Sequence, residues 1–173
     1  RIAKLAKVAR TFQNIRLFAG MTVLENLLVA QHNPLMIASG MTVMGVLGIG
    51  GYARAEREAI DKAQRWLEAT GLIDRANHTA SGLSLLQRKR LELARALATE
   101  PRLLLLDEIA GGLTEGECGM LVDTIKGIHK GGMSIIWIEH VLHALNSVVE
   151  RLLVLNFGKV IGMGAPDAVM ASR

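Results

Sequence analysis

Cysteine is all but absent: Cys118 stands alone in 173 residues, so no internal disulfide can form. A reducing compartment is consistent with that usage. A secretory signal is also lacking, because the basic opening from Arg1 to Arg16 contains no long apolar run. The first residue is Arg1 rather than Met, which suggests a piece of a longer chain. Neither an internal repeat nor a low-complexity tail is present. Charge of one sign is in slight excess, with a net value of +4. That balance suits a phosphate-bearing ligand or a membrane-facing surface, but ordinary domains carry as much. Long apolar runs are scarce. The exception, Leu35 to Ala53, is uncharged and near the minimum spanning length of roughly 17–25 residues. It follows Pro34 and contains Gly40, Gly45, Gly48, Gly50 and Gly51, which makes a poor continuous helix. A hydrophobic loop or broken helix packed against a partner is expected there instead of a membrane span.

The remaining composition is globular: 50% of residues are hydrophobic and 21% charged, enough for one domain with a full core and a small subdomain. The opening reads as the end of a helix running into a strand or loop. Thr22-Val-Leu-Glu25 fits a capping box, in which each side chain satisfies a free backbone N–H, and predicts a helix to about Gln31. From Arg54 to Thr70, apolar residues at 55, 59, 60, 63, 66 and 67 follow helical spacing, stopped by Gly71. Ser84-Leu-Leu-Gln87 opens another helix to about Thr99, before Pro101. Leu103–Leu106 and Ser134–Ile138 read as buried parallel strands with a helix between them, from about Glu115 to His129. A short helix from Val141 follows. Leu152–Leu155 and Val160–Met163 then form a hairpin around Asn156-Phe157-Gly158. Strand and helix alternate in the later half, so the class is α/β, while residues 21–99 read as helical.

The strongest local signal is Leu103-Leu-Leu-Leu-Asp107-Glu108, a run of four leucines broken by two acids. A buried strand ending in this way sets both carboxylates at the carboxyl edge of the sheet, where ligands of open α/β folds bind. An aspartate there can hold Mg²⁺, and the glutamate can orient or deprotonate an attacking water. An ordinary strand end with solvated acids reads equally well from these residues alone. Likewise Ser84 and Gln87 taken alone are a helix cap, and His140 is a polar strand end. Glu139, His140 and His143 invite a metal reading, but the spacing is not HExxH and no third ligand follows from the sequence. His32, His78 and His129 read as surface residues, and Gln13 by itself carries no signal.

Order and context add a resemblance. Gly82-Leu-Ser-Leu-Leu-Gln-Arg-Lys-Arg-Leu-Glu-Leu-Ala-Arg-Ala-Leu97 precedes the acidic strand, and Ile135-Ile-Trp-Ile-Glu-His140 follows it. These segments resemble, in order, the signature motif, the Walker B strand with its catalytic glutamate, and the switch histidine of ATP-binding-cassette proteins. Gln13 in Arg10-Thr-Phe-Gln-Asn-Ile-Arg-Leu-Phe18 is similar to that family's glutamine loop. Gly158-Lys-Val-Ile-Gly-Met-Gly-Ala-Pro166 is similar to its closing hairpin. Nearly the whole chain is covered. The Arg10–Phe18 segment, Met21-Thr-Val-Leu-Glu-Asn26, Ile138-Glu-His140 and the long stretch from 32 to 56 resemble the branched-chain amino-acid importers in particular.

That resemblance implies a P-loop NTPase-like (RecA-like) parallel-sheet core, truncated at its N-terminal side, with an inserted helical subdomain. Residues 1–20 and 100–173 would form the partial ATPase core, and 21–99 the helical subdomain carrying the signature. It implies an ATPase using ATP and Mg²⁺: Asp107 and Gln13 at the metal, Glu108 at the water, His140 at the γ-phosphate, and Ser84 with Gln87 at the nucleotide of a second subunit. The implied partners are transmembrane permease subunits and a second nucleotide-binding subunit, with no nucleic acid. The implied place is peripheral, on the cytoplasmic face of the inner or plasma membrane.

Two departures bear on competence. No GxxxxGK(S/T) phosphate loop occurs in the 173 residues; in the family it would precede Gln13, and so fall before Arg1. Gly45-Val-Leu-Gly48-Ile-Gly50-Gly51 copies the glycines, lacks the lysine and hydroxyl, and stands on the wrong side of Gln13. The second departure is Leu85 and Leu86, where the signature has two glycines that allow close backbone approach to a phosphate. Ile109 in place of a proline and Thr114 in place of Asp or Asn are milder changes. A non-catalytic cassette that only binds partners is therefore one rival reading. A soluble cassette ATPase acting on ribosomes or DNA is another, although such proteins carry paired cassettes or long coiled-coil insertions, which this sequence does not.

Overall fold

The structure is a computed structural model; it describes residues 7–11, 15–31, 51–140, 145–146 and 148–171. Three short strands, β1 (Val8–Arg10), β2 (Leu103–Asp107) and β3 (Ser134–Ile138), form a parallel sheet in the order β1-β2-β3. Val8 pairs with Leu103, and Leu103 with Ser134, so the register carries Asp107 level with Ile138 at the carboxyl edge. The alternation of β2 is what period-two geometry requires. Leu104 and Leu106 are fully buried on one face, and Leu103, Leu105 and Asp107 lie half-buried on the other.

Five α-helices are described. The first, α1 (Val23–Ala30), starts at the expected capping box of Thr22 and Glu25. Helix α2 (Gly51–Ala69) includes Gly51 to Ala53, three residues ahead of the predicted start, where uncharged residues add no polar face to the periodic pattern. Helix α3 (Leu85–Leu97) starts at Ser84, which accepts the Gln87 N–H while Gln87 caps Ser84 in return. Helix α4 (Glu115–Lys130) starts at a third such box, Thr114 with Glu117, and α5 (Pro166–Ala171) closes the chain's described part. Of the expected helix from Val141, residues 141–144 lie outside the described residues and Leu145 and Asn146 are helical; the stretch from 32 to 50 also lies outside them. Among those described, no helix is long and apolar enough to cross a membrane.

Two apolar clusters meet at Trp66. One joins Val23, Leu27, Ala63, Leu67, Leu72, Leu91 and Ala94 among the helices α1, α2 and α3. The other seats Leu86, Leu93 and Leu97 of α3 against Leu104, Leu106 and Ile109, with Leu121, Ile125 and Ile128 of α4 beyond them. Helix α3 thus buries one flank in the helical layer and another against the sheet. Asn26, fully buried, pins the incoming chain: it accepts the Phe18 N–H at 3.0 Å and donates to the Phe18 and Thr22 carbonyls. The hairpin of β4 (Leu152–Asn156) and β5 (Lys159–Gly164) turns at Phe157 and Gly158, both at positive φ, as a two-residue turn matched to strand twist demands. Asn156, expected in the turn, is the last residue of β4, where it pairs with Lys159.

Candidate functional site at the carboxyl edge of the sheet

Asp107, Glu108, Glu139 and His140 are gathered at one edge because β2 and β3 end side by side. The Glu108 N–H donates to the Ile138 carbonyl at 2.9 Å, which extends the ladder one step past β2. The Asp107 N–H donates to the hydroxyl of buried Thr11 at 3.4 Å, and the Asp107 carboxylate meets Arg10 at 2.6 Å. Glu108 itself sits at φ +46°, a left-handed conformation that a side chain disfavours by roughly 1–2 kcal/mol. Such a residue persists where the surroundings over-determine it, commonly at sites of chemistry. The segment then turns back, with the Gly111 N–H donating to the Glu108 carbonyl and Gly112 at φ +78°.

Beside this turn lies a cavity of about 320 Å³ lined by Ala110, Gly111, Gly112, Leu113, Glu115, Cys118 and His140. The His140 side chain is largely exposed at its mouth, whereas the Glu139 side chain is wholly buried. Glu139 Oε2 accepts the Ala110 N–H at 3.0 Å, and Oε1 accepts the His140 N–H at 3.1 Å. His140 Nδ1 stands 3.5 Å from the same Oε1. The charge is felt nearby. Burial pushes the Cys118 thiol up, and Glu139 and Glu115 push it further the same way. Burial lowers the Lys89 ammonium, an effect opposed by Glu92 and Glu139.

The start of α3 touches this edge through Leu85. A methyl group placed on Gly112 would stand 3.3 Å from Leu85 Cδ2, so Leu85 leans over the turn that follows Glu108. Leu86, by contrast, points into the core and is 6% exposed. The two leucines differ in kind, a distinction that their adjacency in the sequence hides. Ser84 and Gln87 are engaged with each other in the cap. Gln13 lies outside the described residues, so its place relative to Asp107 stays an expectation.

Sequence reasoning missed three features here. Arg10 was not paired with Asp107, because the partners are 97 residues apart and meet only through strand register. Glu139 was weighed as a metal ligand, not as a buried acceptor. One signal is available: an acid directly after the four-residue apolar run Ile135–Ile138, one position before a candidate histidine. The strained backbone of Glu108 has no sequence signature.

A hard cation suits the oxygen chemistry of this edge, where the Asp107 carboxylate is half-buried next to Glu108. Among the described residues no cluster of three or more His, Cys, Asp or Glu could hold a metal by itself. A Mg²⁺ ion here fits as one shared with a phosphate ligand, which is how Mg²⁺ usually binds in nucleotide sites.

Comparison with known proteins adds the following. A family profile described as ABC transporter matches residues 3–111. The high-affinity branched-chain amino acid transport ATP-binding protein LivG of Escherichia coli (strain K12) is 40% identical over 170 residues, covering 98% of this chain and 65% of that protein. BraF of Pseudomonas aeruginosa, with the same description, is 39% identical over 94% of this chain and 63% of its own length. The chain therefore spans about two thirds of the curated relatives it matches. A solved nucleotide-free ATP-binding cassette from an ABC transporter superposes with a TM-score of 0.79 at 27% identity, over 99% of this chain and 67% of that one. An ATP-binding cassette solved in its ADP conformation gives the same TM-score at 28% identity, over 98% of this chain and 65% of that one.

Proposed function

Since the chain belongs to the ABC transporter family and has the fold of its ATP-binding cassettes, we propose that it serves as the ATP-hydrolysing subunit of an importer for branched-chain amino acids. The observation that carries this reading is the juxtaposition of Asp107, Glu108 and His140 at one sheet edge, fixed by the pairing of Asp107 with Ile138. ATP is the substrate, and Mg²⁺ when bound would neutralise charge on its phosphates. Asp107 would hold that ion, with Gln13 alongside it as the contact that senses the transporter. Glu108 would orient and deprotonate the attacking water, and His140 would donate to the γ-phosphate. Ser84 and Gln87 would face the nucleotide of a second subunit across a dimer, with residues 21–99 acting as the helical subdomain that carries them. The subunit would sit peripherally on the cytoplasmic face of the membrane, against permease subunits.

The test is titration calorimetry with Mg–ATP on two versions of the protein. The 173-residue sequence, which contains no GxxxxGK(S/T), is expected to bind weakly or not at all. Joined to the loop-bearing segment of a relative, it is expected to bind, and Asp107→Asn should weaken that binding in the presence of Mg²⁺. A joined protein that binds no nucleotide would overturn the proposal. Micromolar affinity in the 173-residue chain would redirect attention to Gly45–Gly51.

A further inference from the structure

We propose that Glu139 is a positioning residue of this edge, its buried carboxylate holding the turn after Glu108 and the backbone of His140 in one fixed relation. The inference rests on the reading of Glu108 and His140 as the hydrolytic pair. Its basis is how the two oxygens are divided. Oε2 takes the Ala110 N–H, two residues beyond Glu108, and Oε1 takes the N–H of His140 itself. One side chain therefore clamps the two segments that carry the reacting groups, from a side that solvent does not reach.

An acid in this position is costly, because a buried carboxylate loses its hydration. An apolar side chain could fill the same volume but could not accept hydrogen bonds. Two charge-assisted bonds of fixed direction are what the carboxylate supplies, and each is about twice as strong as a neutral one. The need for such a clamp is visible next door in Glu108, whose left-handed backbone relaxes unless its flanks are held. The Glu108 N–H is fastened to Ile138 on one flank, and Ala110 to Glu139 on the other. Groups on two helices feel its charge. Lys89 of α3 is 5% exposed and is attracted to Glu92 and Glu139, and Glu139 pushes the Cys118 thiol of α4 up. Glu139 so joins the turn after β2 to the candidate switch histidine within a single subunit. None of its oxygens is directed to solvent, so it acts through its neighbours and does not touch the substrate.

Glu139→Gln preserves shape and tests the clamp. Amide hydrogen exchange followed by NMR on the 173-residue protein is expected to show Ala110 and His140 exchanging about tenfold faster, the loss of a charge-assisted bond. Leu104 and Leu106 in the strand should hold their rates, and Glu139→Asp should restore part of the protection. In the version joined to a loop-bearing segment of a relative, kcat for ATP should fall by up to about 10²-fold with KM little changed, as misplacement of reacting groups requires. Unchanged exchange at Ala110 and His140 overturns the clamp. Faster exchange with an unaltered kcat overturns the positioning role and leaves a structural bond. If the unsubstituted joined protein binds ATP but does not hydrolyse it, the functional reading fails instead, and the exchange data still decide the clamp.

Discussion

At the carboxyl edge of the sheet a charged side chain, Glu139, is buried and fastened to two backbone amides; at the start of α3, a few ångströms from the same turn, the buried group is Leu86 and the turn is touched by Leu85. The edge is organised by directed hydrogen bonds and the helix start by apolar packing. Directed bonds fix where a neighbour's atoms lie, which suits the alignment of reacting groups. Apolar packing fixes volume and stability and leaves the facing backbone covered. Ser84 and Gln87 form their cap with Leu85 and Leu86 between them, so the helix start is intact whatever stands in front of it.

That contrast can be broken most forcefully at Glu108. In a version joined to a phosphate-binding segment, Glu108→Gln is expected to lower steady-state ATP hydrolysis by about 10²–10⁴-fold with nucleotide affinity intact, as loss of a general base does. If hydrolysis persists, the edge is not the chemical site. Next in size is Leu86, where the expected effect is on stability. Leu86→Ala removes a buried side chain from between α3 and β2 and should cost about 2–3 kcal/mol in urea unfolding, the low end of the range for buried leucines. A cost under about 0.5 kcal/mol would place Leu86 with the surface residues instead.

Leu85 sharpens the comparison further. Leu85→Gly is expected to change stability by under about 1 kcal/mol, because the side chain is half-exposed and lies in the first helical turn. The same change should raise ATP turnover of the joined protein by baring the backbone over Gly112. Equal turnover in the Leu85 and Gly versions would show that Leu85 is no obstruction. Reversal of both leucines together mixes this gain with the loss at Leu86, so the single change is the cleaner measurement.

The smallest effect separates the helix caps. Glu117 caps α4 and is held below the ordinary glutamate range by hydrogen bonds from the Thr114 backbone and hydroxyl. A lowered folded-state value means that its contribution is present above the unfolded value and is lost as pH falls through the folded one. Gln87 in the equivalent place on α3 does not titrate. Thermal melts of the parent and Glu117→Gln from about pH 7 down to about pH 3 should therefore converge as the pH drops. A gap that stays constant with pH would show that the charge of Glu117 is irrelevant to the cap.

Much of this was legible because it is local. The boxes at Thr22 and Ser84 need side chains only three residues apart, and the apolar runs at 103 and 134 announce strands whatever lies around them. Family likeness was legible for the same reason, as a set of short motifs in a fixed order. Asp107, Glu108 and His140 could be named as strand-end residues of one sheet edge, but the register that sets them level could not be read. Arg10 against Asp107 and Glu139 against Ala110 were out of reach, since each joins segments tens of residues apart. The sequence by itself determined helices α1 to α4, strands β2 to β5, the family and the candidate acids, because spacing along a chain dictates which residues share a face. Only the tertiary structure decided that Leu85 and Leu86 have different surroundings and that Glu139 is buried. Burial and long-range hydrogen bonding depend on which strands become neighbours, and that is a property of the packed chain.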